Sequence, residues 1–417
     1  MTVPPGTYRE QVVIDKSIAL VGEGRPVIDG GGVGDVIKVT ADGVTIRGFV
    51  ITGSGTNVSD EPTAIRLLGD NAVIEDNILR DVLYGVTLIQ SDGHTIRRNQ
   101  ISSIEDFSSE RRGHGVYLYS TSHNTIEDNV ITRTKDGIFL GFAFFNTIRH
   151  NRVTDVRYGI HYMYADDNVF TENSFTHSTA GGALMYSRRL RFERNEFGYN
   201  RSEASGYGLL FKDVDDVFME GHIIHHNRLG ITMEGAPHTP GSVVEIKNNL
   251  IGFNQMAIEL TSTTGALFTG NTFVGNLGQV EGRGGDIQKH NSWSLDGRGN
   301  YWDDYRGYDS NGDGIGDLEY RYEGAFDDLI QRNDALRAYR FSPAQAALDL
   351  GARWFPVYEP KTRVVDPNPL MSPTLSLDSS NGNGPLMIYV ALVALVAVPI
   401  AVFATATRGR RGGWLPC

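Results

Sequence analysis

The sequence predicts an all-β protein that folds as a right-handed parallel β-helix, a solenoid of about ten coils, and three features support this prediction. Asn closes similar hexapeptides such as NTIEDN and NTIRHN and returns mostly every 22 residues. Gly forms a second column with the same step, and short alternating runs such as GVYLY and GIFLG lie between the two columns. The Asn column comprises Asn77, Asn99, Asn129, Asn151, Asn173 and Asn195. The Gly column comprises Gly85, Gly115, Gly137, Gly159, Gly181, Gly208 and Gly230.

The coils are expected to fill residues 1–300, with the clearest repeats between Val36 and Val274. Alternation with a period of two, interrupted by Asn and Gly, indicates short strands joined by tight turns, and no segment shows the 3.6-residue period of a helix. One step is 30 residues long, so residues around 104–111 are expected to protrude as a loop. Two apolar columns are predicted to face inward: Ile126, Ile148, Phe170 and Phe192, and Ile131, Val153, Phe175 and Phe197.

The Asn column is predicted to be structural. Equivalent positions in stacked coils lie above one another, so each side-chain amide is expected to bond to its neighbours along the axis of the rod. Such a ladder satisfies turn backbone groups that burial would otherwise leave without partners.

The outward face of the strand after each Gly carries residues that are unusual for a solvated sheet. Alternation places Tyr117, Phe139 and His161 in one outward column. Met163 and Met185 occupy the next outward column, one coil apart. Thioether sulfur together with imidazole favours Cu(I) over hard cations, so His161, Met163 and Met185 form the candidate copper site. The alternative is an apolar contact surface that a partner protein covers, and a metal passed between proteins is compatible with both.

Other polar clusters have ordinary structural explanations. Most of the remaining histidines of the later coils are expected to be surface residues: His222, His225, His226 and His238. The acidic clusters are expected to form polar turns: Asp166, Asp167, Asp213, Asp215 and Asp216. A polysaccharide lyase or epimerase on this fold would keep its carboxylates at such positions. The sequence contains no nucleophile elbow, HExxH motif or phosphate-binding loop.

Residues 301–365 are predicted to form a C-terminal cap that contains an Asp- and Gly-rich loop. Oxygen ligands in the order expected of a calcium loop are Asp309, Asn311, Asp313 and Asp317. Tyr320 stands where a bidentate acid is expected, so a structural Ca²⁺ site and a metal-free turn are both compatible with the motif.

The C-terminal residues predict a membrane anchor. Residues 366–385 resemble a flexible linker, and residues 386–406 are long and apolar enough for a transmembrane helix. The basic tail, residues 407–417, favours a cytoplasmic C-terminus and therefore an extracytoplasmic location for the coils. Because residues 1–4 do not resemble a signal peptide, the natural chain is expected to start upstream.

Charge and cysteine content exclude several classes of protein. A formal net charge of −12 argues against binding to nucleic acid, because the phosphate backbone would be repelled. The single cysteine, Cys417, excludes intramolecular disulfides and cysteine-built metal sites.

The chain resembles the NosD family over most of residues 2–345. The specific segments are YGIHYMY, ALMYSRR and GNYWDDYRG, whereas single coil motifs are common in β-helices. The resemblance implies a non-enzymatic role outside the cytoplasm in assembling the copper centres of nitrous oxide reductase, on a fold shared with carbohydrate-binding and sugar-hydrolase β-helices. It implies as partners the ATPase and membrane subunits of an ABC transporter, a copper chaperone that supplies Cu(I), and the reductase. The alternatives are a β-helix enzyme acting on acidic polysaccharide and a cell-surface adhesin.

Overall fold

A computed structural model describes residues 1–203, 205–283, 287–323, 326, 329, 333–339, 342–354 and 362–376 of the 417-residue chain. The predicted parallel β-helix is confirmed, because three parallel sheets each receive one strand from every coil. Residues Met1–Leu375 form one compact unit, and only Ser376 is described from the second, Ser376–Cys417.

The three sheets run the length of the coils. The first sheet contains Thr2–Val3, Ala19–Gly22, Thr45–Arg47, Val73–Glu75, Thr95–Arg97, Thr125–Glu127, Thr147–Arg149, Val169–Thr171, Arg188–Glu193, Asp215–Glu220, Val244–Lys247 and Ala266–Thr269. The second sheet contains Thr7–Arg9, Val27–Asp29, Val50–Thr52, Ile78–Val82, Gln100–Ser103, Val130–Thr132, Arg152–Thr154, Ser174–Thr176, Glu196–Gly198, Ile223–His225, Leu250–Gly252, Thr272–Val274 and Tyr301–Trp302. The third sheet contains Val12–Ile14, Ile37–Val39, Thr63–Leu67, Tyr84–Ile89, Val116–Tyr119, Asp136–Gly141, Tyr158–Met163, Ala180–Met185, Tyr207–Lys212, Leu229–Glu234, Met256–Thr261 and Gly278–Arg283.

The coils extend further than the clearest repeats indicated. The first and third sheets each have 12 strands, and the first coil begins at Thr2–Val3. The expected count of about ten coils, taken from Val36 to Val274, is therefore too low.

The core lies between the three sheets and contains the predicted inward columns. All eight residues of those columns have no solvent exposure. The rings of Phe170 and Phe192 stack at 4.6 Å, and those of Phe175 and Phe197 stack at 5.4 Å. Strand register therefore places same-numbered side chains of successive coils against one another, as the 22-residue step predicts.

The Asn column forms the predicted ladder. The backbone N–H and the Nδ2 of Asn151 both donate to Oδ1 of Asn173 at 2.9 Å, and Nδ2 also donates to the carbonyl of Ile126 at 2.8 Å. The ladder continues through His222, Asn249, Asn271 and Asn300. Similar bonds link Asn124, Asn146 and Asn168, and a further series links Asn200, Asn227, Asn254 and Asn276.

The glycines of the Gly column lie where the backbones of neighbouring coils approach closely. The expectation that they mark tight turns is therefore corrected. Gly137 lies within a strand, and a Cβ there would meet the carbonyl oxygen of Gly159 at 2.7 Å as well as the side chain of Val153. In the turns, positive φ falls on residues immediately before the ladder residues, and several of these, such as Asp128 and His150, are not glycine. The ladder bonds hold these turns in a conformation that side chains rarely adopt.

Residues after the last coil close its end. Tyr301–Trp302 still belongs to the second sheet, and the Trp302 ring stacks on Phe273 at 4.1 Å and on Tyr320 at 4.4 Å. Asp366 is fully buried and accepts hydrogen bonds from the Asn300 backbone N–H at 2.7 Å and from Trp302 Nε1 at 3.0 Å. Residues 366–375, assigned to the linker from composition, therefore pack against the coils over their described length.

Short elements outside the sheets complete the described chain. Helices lie at Ile287–His290 and Pro343–Trp354, and 3₁₀ turns lie at Val58–Asp60, Ser109–Arg111 and Asp334–Tyr339. Strands Tyr320–Glu323 and Thr362–Asp366 pair antiparallel. The helix Pro343–Trp354 contradicts the absence of helical segments expected from periodicity. Ser342 caps it, Pro343 suits its first turn, and its Ala and Leu residues have high helix propensity.

The predicted transmembrane segment, residues 386–406, and the tail, residues 407–417, lie outside the described residues. Within the described part of the chain, no helix has the length and apolarity needed to span a bilayer.

Candidate functional site

The three candidate copper ligands lie on neighbouring strands of the third sheet. His161 and Met163 belong to Tyr158–Met163, and Met185 belongs to Ala180–Met185. Strand register pairs Met163 directly with Met185, and His161 with Ala183. The structure thus places the two methionines at paired positions one coil apart.

All three side chains lie on the outer face of the sheet, as alternation predicts. The inward neighbours Tyr162 and Leu184 have no solvent exposure, whereas Met163 and Met185 are half-buried. The His161 side chain is 15% exposed. Partial exposure leaves these three side chains accessible from solvent.

A buried carboxylate beside His161 was not anticipated from the sequence. Asp136 has no solvent exposure, and its Oδ2 lies 2.8 Å from Nδ1 of His161. Arg157 donates to both Asp136 oxygens at 2.8 and 2.7 Å, and Nδ1 of His114 lies 3.3 Å from Oδ2. We call Asp136, His114, Arg157 and His161 the buried tetrad.

Electrostatics keep Asp136 ionised within the tetrad. Burial by itself raises the pKa of this carboxyl, but the nearby His114, His161 and Arg157 side chains outweigh burial and hold the pKa well below its usual range. Burial also lowers the pKa of His114, which favours its neutral form. The tetrad therefore contains an ionised Asp136–Arg157 pair, and the imidazole of His161 contacts its carboxylate.

Aromatic rings pack against the two imidazoles of the tetrad. His114 stacks on Phe139 at 4.8 Å and on Tyr117 at 5.3 Å. His161 meets Phe139 edge to face at 4.9 Å and Tyr158 at 5.2 Å. The only trace of the tetrad in the sequence is that Asp136 lies about one coil from each of the other three members, as many unrelated residue pairs also do.

Exposed aromatic rings line the corner that follows these strands. Phe142, Tyr164 and Tyr186, which we call the aromatic ladder, stack with ring centroids 5.4 and 5.1 Å apart. Their exposures are 44%, 45% and 38%. A groove of about 530 Å³ lies against the ladder and is also lined by Arg188 and His238. Each ladder residue directly follows the outward column that contains Met163 and Met185, so the ladder adjoins the two methionines along the chain.

The acidic clusters that an enzyme of this fold would use form ion pairs and hydrogen bonds with neighbouring residues. Asp166 pairs with Arg188 at 3.0 Å, and Asp167 pairs with Arg189. Asp215 accepts hydrogen bonds from the backbone of His238 and from Thr239, which lower the pKa of Asp215 against the opposing effect of burial.

Asp213 lies 3.4 Å from the His238 ring, and Asp216 lies in the strand Asp215–Glu220 with a positive φ. The contacts of these acids are those expected of polar turns and surface ion pairs.

The polar side chains of the Asp- and Gly-rich loop accept hydrogen bonds from the backbone of the same loop. Asp309 accepts hydrogen bonds from the backbone of Gly312 and Gly314, and the bond from Gly314 contributes most to lowering its pKa. Asn311 accepts from the backbone of Asp313, Asp313 accepts from Ile315, and Asp317 accepts from Ser310. These hydrogen bonds close the loop, and its side chains lie at the exposed surface.

The remaining histidines correct one expectation. His222 is fully buried within the Asn ladder and His225 is 5% exposed, so neither is a surface residue. His225 lies 2.8 Å from His226 and 3.1 Å from Glu196 through its two ring nitrogens. His238 has 66% of its side chain exposed, as expected.

Among the described residues, no three His, Cys, Asp or Glu side chains converge on a common metal position. A metal centre on the third sheet therefore depends on the thioethers of Met163 and Met185, which supply soft ligands beside a single imidazole.

Comparison with a solved structure agrees with the fold. The catalytic domain of a GH87 α-1,3-glucanase in complex with nigerose is similar to this chain with a TM-score of 0.52 and 14% identity. The similarity covers 72% of this chain and 64% of that domain. At this identity the likeness concerns the fold alone.

Comparisons by sequence identify the family. The family model described as "Periplasmic copper-binding protein (NosD)" matches residues 99–307. The "Probable ABC transporter binding protein NosD" of Pseudomonas aeruginosa is 38% identical over 379 residues, which cover 88% of this chain and 86% of that protein. The protein of the same name from Stutzerimonas stutzeri is 35% identical over 388 residues, again with 88% and 86% coverage. The chain belongs to the NosD family.

Proposed function

We propose that this chain is a non-enzymatic accessory protein that acts outside the cytoplasm in maturing the copper centres of nitrous oxide reductase. The family description as a periplasmic copper-binding protein and the relatives' names as ABC transporter binding proteins support this role. Its partners are the ATPase and membrane subunits of the transporter, a copper chaperone and the reductase. The transporter supplies the energy, and this chain receives Cu(I) as cargo and passes it on.

The observation that carries the proposal is the pairing of Met163 with Met185 on the outer face of the third sheet, next to His161. Neighbouring strands lie ~4.8 Å apart, which allows two flexible thioethers to bind one ion. Two sulfur donors and one imidazole nitrogen match the preference of Cu(I) for soft ligands. Partial exposure suits an ion that is handed on, because a fully buried ion cannot reach a second protein.

The first prediction concerns copper affinity. The purified full chain is expected to bind about one Cu(I), and the double variant Met163→Leu/Met185→Leu is expected to weaken binding by at least roughly tenfold, because leucine keeps the volume and removes both sulfurs. Competition with a chromophoric Cu(I) chelator measures the affinity. Met371→Leu, which changes a half-buried methionine outside the third sheet, is the matched control. Unchanged affinity in the double variant would eliminate this site.

The surface around the copper site is proposed to be where partners dock. The aromatic ladder and the two methionines place exposed rings and thioethers together, and surfaces of this composition are characteristic of protein interfaces. The proximity of the ladder to the donors would let a docked chaperone or transporter subunit reach the ion directly.

A second prediction separates docking from copper binding. Phe142→Ser/Tyr164→Ser/Tyr186→Ser is expected to weaken binding of the chain to its transporter by at least about tenfold, since aromatic anchors carry much of the energy of such interfaces. Its Cu(I) affinity is expected to stay within about twofold of the unmodified chain. Co-purification with the transporter and chelator competition measure the two quantities.

The control for docking is Tyr199→Ser/Phe253→Ser, which removes two exposed rings of comparable exposure from the corner between the second and third sheets. If the control weakens transporter binding as much as the ladder variant does, the third sheet and its ladder are not the docking surface.

The proposed location follows from the family and from the terminal segment. We propose that residues 386–406 anchor the chain and that the coils lie outside the cytoplasm, as the sequence predicts. The Asp- and Gly-rich loop, with Asp309 and Asp313 at its centre, is assigned a structural role whether or not it binds Ca²⁺.

A further inference from the structure

The most unusual polar feature of the described coils is the carboxylate of Asp136, which is fully buried yet close to the candidate copper site. It accepts two hydrogen bonds from Arg157 and lies 2.8 Å from Nδ1 of His161. Burying an ionised carboxylate is costly unless it is paired and hydrogen-bonded, and here both conditions are met. The structure therefore maintains a charged group beneath the outer face at one specific place.

The Asp136 carboxylate determines which nitrogen of His161 carries the proton. An ionised carboxylate accepts hydrogen bonds and donates none, so Nδ1 of His161 is the donor in this contact. Nη2 of Arg157 lies 3.4 Å from the same nitrogen, but it donates to Asp136 at the shorter distance of 2.7 Å. In the tautomer that carries its proton on Nδ1, the lone pair of the imidazole belongs to Nε2.

The Nε2 atom of His161 is free to meet an ion. It has no hydrogen-bond partner among the described residues, and it is not among the polar atoms that are buried without one. The rings of Phe139 and Tyr158 hold the imidazole in place from two sides. Tautomer and orientation of the ring are thus both fixed before any ion arrives.

We propose that Asp136 is the positioning residue of the copper site: it holds His161 as the Nδ1–H tautomer, so that Nε2 faces an ion beside Met163 and Met185. This inference rests on the proposed function. A histidine that binds a metal through one nitrogen commonly donates the other N–H to a carboxylate, and loss of that partner typically costs 10–100-fold in affinity. Arg157 holds the carboxylate itself in position through two hydrogen bonds.

The test uses Asp136→Asn in the full chain, because an amide offers both a donor and an acceptor and no longer enforces one tautomer. Ring ¹⁵N chemical shifts of His161, assigned by comparison with His161→Gln, report the tautomer without copper. The unmodified chain is expected to show the Nδ1–H form, and Asp136→Asn is expected to show a mixture. The Cu(I) affinity of the Asp136→Asn variant is expected to be about 10–100-fold lower than that of the unmodified chain.

The matched control is Asp35→Asn. Asp35 accepts two hydrogen bonds from Arg66 on the same sheet, with no histidine in contact, and this change is expected to leave both readouts unaltered. An Nε2–H tautomer in the unmodified chain would overturn the inference, even if Asp136→Asn fails to fold. An altered tautomer with unchanged Cu(I) affinity would also overturn it. A chain that shows the Nδ1–H tautomer but binds no Cu(I) would instead refute the proposed function.

Discussion

Replacing Asn151 with leucine is expected to lower the free energy of unfolding by about 4 kcal/mol. Leucine has a similar volume but cannot accept the two bonds that Asn129 donates to Oδ1 of Asn151, at 3.1 Å from the backbone and 3.0 Å from Nδ2. It also cannot donate to the buried carbonyl of Ile126. Each buried group left without a partner costs roughly 1–3 kcal/mol, and Asn151 is only 1% exposed. Urea denaturation followed by circular dichroism measures the loss.

The control for this prediction is Asn57→Leu. Asn57 is exposed and only caps a 3₁₀ turn, so its replacement is expected to cost about 1 kcal/mol or less. A loss at Asn151 no larger than the loss at Asn57 would mean that the ladder adds little to the stability of the coils.

Acid is expected to destabilise the coils through two histidines that occupy Asn positions. The buried ring of His222 accepts a hydrogen bond from the backbone of Asn195, and that of His94 accepts one from the backbone of Ala72. Burial lowers the pKa of each to about 4, compared with 6.5 for a free histidine. The unfolded chain therefore binds protons at these rings before the folded chain does.

The sign follows from proton linkage. Above pH 6.5 both rings are neutral in both states, so their contribution to stability is complete. As the pH falls from 6.5 to about 4, the unfolded state takes up protons preferentially and the free energy of unfolding decreases. The shift corresponds to roughly 3 kcal/mol for each histidine once the pH is below 4.

The variant His222→Asn isolates this contribution. Asparagine suits the ladder, so stability at pH 7.5 is expected to stay within about 1 kcal/mol, while the loss between pH 6.5 and 4 is expected to shrink by roughly 3 kcal/mol. Urea denaturation at a series of pH values measures both quantities. His238→Asn, at an exposed position, should reproduce the unmodified pH profile. An unchanged acid response in His222→Asn would rule out His222 as a source of acid sensitivity.

The repeat made the fold and the outward register predictable. In a parallel stack, backbone hydrogen bonds fix the offset between equivalent positions, so a regular step of 22 residues by itself pairs Met163 with Met185 and Phe170 with Phe192. The members of the Asn ladder were harder to predict where the spacing between coils departs from 22 residues. The steps from Asn195 to His222 and from His222 to Asn249 are both 27 residues, so the histidine could not be recognised as a ladder member.

The periodic order of the residues alone determined the stacked coils, the inward columns and the face on which His161, Met163 and Met185 lie. Only the tertiary structure revealed the burial of Asp136 among His114, Arg157 and His161, and the closure of the Asn ladder by Asp366. The reason is that backbone pairing imposes one spacing on every coil and leaves a trace in the sequence. Contacts between different columns, or between a coil and a distant segment, depend on side-chain conformation and on the path of the chain. Neither is periodic, so neither produces a repeat that can be recognised in the sequence.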